Sequence, residues 1–363
     1  MASIRLHGNC SLLQQTGNLL FQAAHGKPLI EQPLDRITLG RWGADPGEEV
    51  VVCRRGQETT EIHCHGGDAA IRRILADLDH AGCQIVSAQQ LDREQTGLFA
   101  AECREALANA STLRTANILL EQCSGILQSA IEVLRGPVSG AQSATGQRLR
   151  QIDALLDWAD FGRRLTQCSK VVILGRPNVG KSSLLNALVG FTRAIVFDEP
   201  GTTRDVVTAA TAFEGWPMSL VDTAGIRNTD CQLESAGIAL AQQEAAAADC
   251  RLIVIDSNQP ATSDDSELIA AWPGALVVAN KTDLPDVWGD RIPVLALRVS
   301  SLTRAGIEGL SHRIVESAIP RVPTPGTAIP ITERQANLLR RARQALLVED
   351  AIAFDRAIDD LLA

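Results

Sequence analysis

Two spacings of apolar positions divide this chain. Short β-branched runs bounded by polar residues predict strands, and apolar residues three or four apart predict helices. The first 90 residues mix both. Ile4-Arg5-Leu6, Glu49-Val50-Val51-Val52-Cys53 and Thr59 to Cys64 read as strands. Asp68 to Ala81 reads as an amphipathic helix with Ile71, Ile74, Leu75 and Leu78 on one face, and Leu12 to Ala23 as a further helix. Residues 91–166 are helical in rhythm: Leu98 to Ala110, Thr112 to Leu134 and Gln147 to Leu165, the second parted from the third by Arg135-Gly136-Pro137. The rhythm then changes to near-continuous apolar runs at Val171 to Leu174, Met218 to Val221, Leu252 to Ile255 and Ala275 to Ala279, with a weaker one from Val294. Such runs are what a parallel sheet buried on both faces requires. Pro320, Pro323, Pro325 and Pro330 close this region, and Thr332 is placed to cap a last helix reaching Leu347, with Glu333 in its first turn.

What ends each of those apolar strands carries the chemistry. Gly175-Arg176-Pro177-Asn178-Val179-Gly180-Lys181-Ser182 follows the first and opens a helix at Ser183, the spacing of a phosphate-binding loop. Glycines let backbone N–H groups turn inward around phosphates, Lys181 reaches the β and γ phosphates, Ser182 ligates Mg²⁺, and the helix N-terminus favours the anion. A polar stretch holds Gly201-Thr202-Thr203-Arg204-Asp205; the next strand ends in Asp222-Thr223-Ala224-Gly225, and a third in Asp256. The fourth ends in Asn280-Lys281-Thr282-Asp283, and Val299-Ser300-Ser301 ends the weak strand. These are the places where open α/β sheets bind ligands. Asp222 is suited to hold Mg²⁺ through water and the Gly225 N–H to sense the γ phosphate. Asp283 can accept from the guanine N1–H and 2-amino group together, a donor pair adenine lacks. Asn280 and Lys281 would shape the base pocket, and Ser300-Ser301 would close it with backbone N–H groups. The ordered set predicts a GTP-binding and GTP-hydrolysing domain.

The catalytic device is less direct. Many GTPases place a glutamine just after the Asp-x-x-Gly glycine to orient the attacking water. Here that residue is Ile226, and the acidic candidates that follow are Asp230 and Glu234.

Gly-Arg-Pro-Asn-x-Gly-Lys-Ser-Ser-Leu-Leu-Asn-Ala-Leu, Gly-Thr-Thr-Arg-Asp and Asp-Thr-Ala-Gly-Ile-Arg together resemble the MnmE/TrmE family of tRNA-modification GTPases; Der-type GTPases share much of the nucleotide-binding part. The resemblance implies a P-loop GTPase domain, an α/β fold with a mostly parallel sheet and flanking helices, inserted into an all-α helical domain behind a small N-terminal α/β domain. The expected boundaries are 1–90 for the N-terminal domain, 91–166 plus 331–363 for the helical domain and 167–325 for the G domain. It further implies a K⁺ ion held by Asn178 and the switch I backbone, supplying charge where an arginine finger would sit. Thr203 would ligate Mg²⁺, and Glu234, followed by Ser235-Ala236-Gly237-Ile238, falls where the family positions its water. Activity in the family depends on two G domains meeting face to face, so a homodimer is expected, with a flavoprotein partner and an indirect role for tRNA. Glu61-Ile62-His63-Cys64-His65-Gly66-Gly67 resembles the family's Glu-x-x-Cys-His-Gly-Gly, and Ile4-Arg5-Leu6-His7-Gly8 its first strand, in a domain that dimerises and binds a formyl-folate. Two departures stand out. Family members end in Cys-x-Gly-Lys, whereas this sequence ends Asp359-Asp360-Leu361-Leu362-Ala363, and Ser87 to Thr96 does not reproduce a loop usual before the central helices. The alternative is therefore a paralogue that keeps the GTPase switch and acts through a protein partner without the tRNA chemistry.

Composition narrows the setting. At 363 residues the chain has room for two or three domains, and 45% hydrophobic content supplies their cores. Nine cysteines without a C-x-x-C fit reduced thiols in a cytosolic protein. Neither a signal peptide nor an 18-residue apolar run is present, so a cytoplasmic enzyme that does not enter membranes is expected. A net charge of −9 requires any nucleic-acid contact to use a local basic patch, and 3% aromatics with no tyrosine leave few bases' worth of stacking platform. His63-Cys64-His65 invites a metal reading, yet successive strand residues point to opposite faces and cannot converge on one ion. Arg340, Arg341 and Arg343 read as a solvated helix face.

Overall fold

The computed structural model describes residues 1–15, 18–136, 141–191, 207–222 and 241–363. Its contacts divide the chain into two compact units, Met1–Leu91 and Asp92–Ala363.

The first unit is a five-stranded sheet under one helix. Strands β1 (Ala2–His7), β4 (Phe21–Ala23), β5 (Ile37–Trp42), β6 (Glu48–Arg54) and β7 (Thr59–Cys64) run in the order β1-β7-β6-β5-β4, all antiparallel, while β2 (Gln14–Gln15) and β3 (Asn18–Leu19) form a separate short hairpin. Helix α1 (Asp68–His80) buries Ile74 and Leu78 in a core with Trp42, Phe21, Val52 and Ile62. The Trp42 indole N–H donates to Asp77 at 2.9 Å, so the largest side chain of this core keeps its polar atom paired.

The helix expected over Leu12 to Ala23 is not formed. A 3₁₀ turn at Cys10–Leu13, capped by Asn9, gives way to the hairpin and then to β4. Phe21 and Ala23 are buried and Gln22 between them is exposed, a period of two that outweighs the helical spacing of the leucines. Strand β5 was not anticipated, because its pattern is inverted: Ile37 and Leu39 face outward, whereas Thr38, Gly40 and Trp42 face the core.

The second unit joins a parallel sheet to helices from both sides of it in sequence. Strands β8 (Ser169–Leu174), β9 (Val207–Phe213), β10 (Trp216–Asp222), β11 (Cys250–Asp256), β12 (Leu276–Asn280) and β13 (Leu297–Arg298) lie in the order β13-β12-β11-β8-β10-β9. Only the β9–β10 pair is antiparallel. Val171, Val172, Ile173, Leu252, Ile253 and Val254 are fully buried, as strands covered on both faces must be.

The preceding helices are α3 (Leu98–Ala108), α4 (Leu113–Glu121), α5 (Leu127–Arg135), α6 (Ala141–Leu156) and α7 (Ala159–Arg163), with α2 (Ala88–Thr96) at the division between the units. The single helix expected from Thr112 to Leu134 is interrupted. A π-helical turn spans Gln122–Ile126, with Gly125 at φ 111°, a conformation only glycine adopts freely. Buried Gln122 explains the register. Its amide donates to Thr327 O at 3.0 Å and its carbonyl accepts from Ile329 N at 3.0 Å, anchoring the proline-rich link that follows the sheet.

Helices after that link, Glu333–Leu347 and Ala351–Leu362, pack with the earlier ones in a shared core containing Leu119, Ile131, Ile152, Leu339 and Ile358. Thr332 caps the first of them through the Gln335 N–H. Arg334 grips half-buried-to-buried Glu102 with two donors, at 2.6 and 2.9 Å. Arg340 pairs with Glu333 and Asn337, and Arg343 with Asp153, so two of the three arginines are held by neighbouring side chains.

Candidate functional site

The site assembles where β8, β10, β11 and β12 run out. The loop after β8 turns at Pro177 to Gly180 and enters helix α8 (Lys181–Phe191). Asn178 takes φ 65° and Gly180 φ 95°. A Cβ at Gly180 would lie 2.4 Å from the Asn280 side-chain amide, so this glycine is demanded both by backbone conformation and by close approach.

Lys181 is buried and its ammonium donates to Gly175 O at 3.0 Å and Arg176 O at 2.8 Å, lying across the mouth of the loop it belongs to. Arg176 in turn donates to Asp265 at 2.8 Å. Asp265 is buried and is the third residue of a capping box with Thr262, at the start of helix α9 (Ser263–Ala271). The outer wall of the loop is thereby pinned to a neighbouring helix.

On the phosphate side, the Ser182 hydroxyl donates to Asp222 Oδ2 at 2.5 Å. Asp222 is the last residue of β10 and is 2% exposed. A serine hydroxyl beside a buried carboxylate is a hard-oxygen donor set, the kind Mg²⁺ accepts through one or two protein ligands while keeping water. The residues present fit that ion.

On the base side, Asn280 is 1% exposed and fully used. Its amide donates to Val179 O at 3.1 Å, and its carbonyl accepts from Ser301 N at 3.1 Å and Ser301 Oγ at 2.9 Å. Lys281, at φ 65°, donates to Asn178 O at 3.0 Å and to Asp256 at 2.6 Å. Asp283 is exposed and accepts from the hydroxyl of buried Ser300. Beyond it, the Arg298 guanidinium, then the Gly289 and Trp288 amides, hold the Asp286 carboxyl below the usual carboxylate range. That anchors the segment leaving the base site.

The structure thus brings together Asn178, Val179, Gly180, Lys181, Ser182, Asp222, Asn280, Lys281, Asp283, Ser300 and Ser301, with Ser183 exposed on the first turn of α8. Thr202, Thr203, Gly225, Ile226, Asp230 and Glu234 lie outside the described residues. The sequence marks Asp256 only as the end of its strand and Arg176 only as part of the loop, with no role for either; Ser257 and Asp265 are not singled out there, their only sequence signal being a polar residue just past, or facing the end of, a buried strand.

The His63-Cys64-His65 segment forms no metal centre. Cys64 faces the core, His63 turns to the other face near Glu61, and His65 pairs with Glu48 at 2.7 Å. Burial pushes the Cys64 thiol up, which keeps it protonated. Among the described residues no cluster of His, Cys, Asp and Glu is arranged to hold a metal, and no helix is long and apolar enough to cross a membrane.

Residues 170–281 match the family described as 50S ribosome-binding GTPase. The tRNA modification GTPase MnmE of Geobacillus kaustophilus is 32% identical over 402 residues, covering 97% of this chain and 86% of that protein. The MnmE of Thermus thermophilus is 33% identical over 323 residues, covering 82% and 72%. Among solved structures, the G domain of the T. maritima FeoB iron transporter is 28% identical, covers 42% of this chain and 99% of its own, and superposes with a TM-score of 0.31. With a phosphate loop, an Mg²⁺-type oxygen pair and an Asn-Lys-x-Asp motif converging where the parallel strands run out, and relatives matched over 86% and 72% of their own length, the chain is a GTP hydrolase and belongs to the MnmE family of tRNA-modification GTPases.

Proposed function

We propose that this protein is a K⁺-assisted GTPase, activated by pairing of two G domains, that serves tRNA wobble-uridine modification together with a flavoprotein. The observation that supports the reading is the double tie of Asn280 and Lys281 to Val179 O and Asn178 O, which holds the residues expected to shape a guanine pocket against the phosphate loop. Each member of the site then has a task. Lys181 would leave the two loop carbonyls for the β and γ phosphates, and Ser182 and Thr203 would ligate Mg²⁺ with Asp222 behind water. Asp283 would read guanine, while Thr202 and the Gly225 N–H would face the γ phosphate.

Hydrolysis needs an oriented water and a charge opposite the leaving group. Ile226 has no group to offer the water, and Glu234 takes that role through its place in the family pattern. Asn178 stands exposed at the turn of the loop and would contribute to holding K⁺. When bound, K⁺ supplies positive charge to the developing phosphate charge without an arginine. In domain terms, residues 167–325 form the G domain, 91–166 with 331–363 the helical domain around it, and 1–90 the dimerising domain with a folate-type site.

The test is hydrolysis in K⁺ against Na⁺ at equal ionic strength, in wild type and Glu234→Ala. Faster turnover in K⁺, and loss of turnover with nucleotide affinity kept in Glu234→Ala, is the expected result. Equal rates in both salts would remove the K⁺ site, and a fully active Glu234→Ala would move the water-orienting role to Asp230. Loss of the modified wobble uridine from tRNA in cells lacking the gene would tie the switch to the modification.

A further inference from the structure

We infer that Asp256 and Ser257, which belong to none of the nucleotide motifs, are positioning residues of the guanine pocket. This rests on the reading of residues 280–283 as the base site. Asp256 is the last residue of β11 and Ser257 follows it; β11 and β12 run parallel, so Asp256 stands opposite Asn280, the last residue of β12, with Lys281 next in the chain.

Each holds a different part of the base motif. Asp256 is 4% exposed; Oδ2 accepts from the Lys281 ammonium at 2.6 Å, and Oδ1 is steadied by the Asn258 N–H at 3.0 Å. Ser257 is 1% exposed and donates twice to the main-chain carbonyl of Asn280, from its N–H at 3.0 Å and its hydroxyl at 2.8 Å.

The consequence follows from where the ammonium is held. Lys281 is anchored at its far end between Asp256 and Asn178 O, so its alkyl stem is drawn taut past the loop; its Cε lies 3.9 Å from where a Cβ on Gly180 would be. A taut stem offers a flat apolar wall to a purine at little entropic cost, whereas a free lysine would have to be ordered on binding. A buried carboxylate close to an ammonium gives a strong, directional restraint. Ser257 meanwhile fixes the main-chain carbonyl of Asn280, the residue whose side chain bridges Val179 and Ser301. Among the described residues, the bonds of both go to residues 258–259 and 280–287 and none to Lys181 or Ser182, so the pair acts on base recognition and leaves the chemical step alone.

The experiment measures dissociation constants for GDP, GTP and ADP, and kcat at saturating GTP, on the full chain with Asp256→Asn, Ser257→Ala, Lys281→Met and the Asp256→Asn/Lys281→Met double variant. Expected for Asp256→Asn is a rise of about tenfold in the constants for GDP and GTP alike, with the preference for GDP over ADP falling by a similar factor and kcat within about twofold of wild type. Ser257→Ala, which keeps the backbone donor, should lose about two- to threefold, and serves if the first variant does not fold. The double variant should bind no more weakly than Lys281→Met, since Asp256 acts through that lysine. An unchanged GDP affinity in Asp256→Asn, or losses that simply add in the double variant, would overturn the inference. A wild-type chain that binds ADP as tightly as GDP would instead overturn the base-site reading on which it stands.

Discussion

Ser182 and Asp222 are joined by one hydrogen bond of 2.5 Å across a sequence separation of 40, the hydroxyl at the start of α8 donating to the carboxylate at the end of β10. The bond sets side by side the two oxygens proposed to serve Mg²⁺. Ser182→Ala and Asp222→Ala should each cut GTP turnover about a hundredfold or more, since the ion supplies several kcal/mol of charge stabilisation. A magnesium titration of turnover checks this: the requirement should move to higher concentration in both variants, and an unmoved titration would separate the pair from the metal.

Asp283, proposed to read the base, carries two acceptor oxygens at an exposed position. Asp283→Asn replaces one acceptor with a donor, which repels the guanine 2-amino group and matches the 2-oxo group of xanthine. Affinity for GDP should fall by about a hundredfold or more, because donors are left unpaired, and affinity for xanthosine diphosphate should rise. Competition binding between the two nucleotides reads the exchange directly.

Gly180 combines φ 95° with a Cβ position 2.4 Å from the Asn280 amide. Gly180→Ala should therefore cost about 1–3 kcal/mol of stability in the strained backbone, and displace the amide that bridges to Val179. Denaturant unfolding of the nucleotide-free protein measures the first effect, and GDP binding the second.

Removing one partner of a largely buried ion pair leaves the other without compensation. Glu102 is 8% exposed and also accepts from Gln335 at 2.9 Å, so Arg334→Ala should destabilise by about 3 kcal/mol, while Arg334→Lys should recover only part of the loss. Because Arg334 lies far along the chain from the nucleotide motifs, the saturated turnover of the folded fraction should stay near wild type. Chemical denaturation with turnover measured in parallel distinguishes the two.

A pH dependence arises at the turn between β9 and β10. The His312 imidazole lies 2.7 Å from Glu214, and that hydrogen bond, followed by the charges of Glu214 and Glu316, raises its pKa above the ordinary 6.5. A raised folded-state value means the contact stabilises fully below the unfolded imidazole's pKa and fades as pH rises through the higher folded value. Glu214→Gln should lower the His312 titration midpoint in NMR and flatten the stability profile as pH rises above the ordinary imidazole value. A midpoint that does not move would show the pair is not formed in solution.

Much of this site was legible in the sequence for a local reason. A phosphate loop needs glycines at fixed offsets between a buried strand and a helix, and a base motif needs a carboxylate at a fixed distance past an asparagine; both are written in consecutive residues. The strands β8, β10, β11 and β12 were equally plain, because a strand covered on both faces leaves an unbroken apolar run. Where one face is open and the pattern inverts, as in β5 with Thr38 and Gly40 inward and Ile37 and Leu39 outward, the run gave no warning. The helix expected over Leu12 to Ala23 erred in the opposite direction, since the pairing of β4 with β5 decides the end of that segment.

The order and spacing of residues determined which chemistry this chain carries: phosphate loop, guanine motif and the acidic end of β10. Tertiary structure alone decided what holds them. That Asn280 reaches Val179 across 101 residues, that Asp256 tethers Lys281, that Asp265 pins Arg176 and that Gln122 clamps Thr327 and Ile329 all depend on which strands and helices become neighbours. Those adjacencies are set by burial of many apolar side chains at once, and no short stretch of sequence contains them.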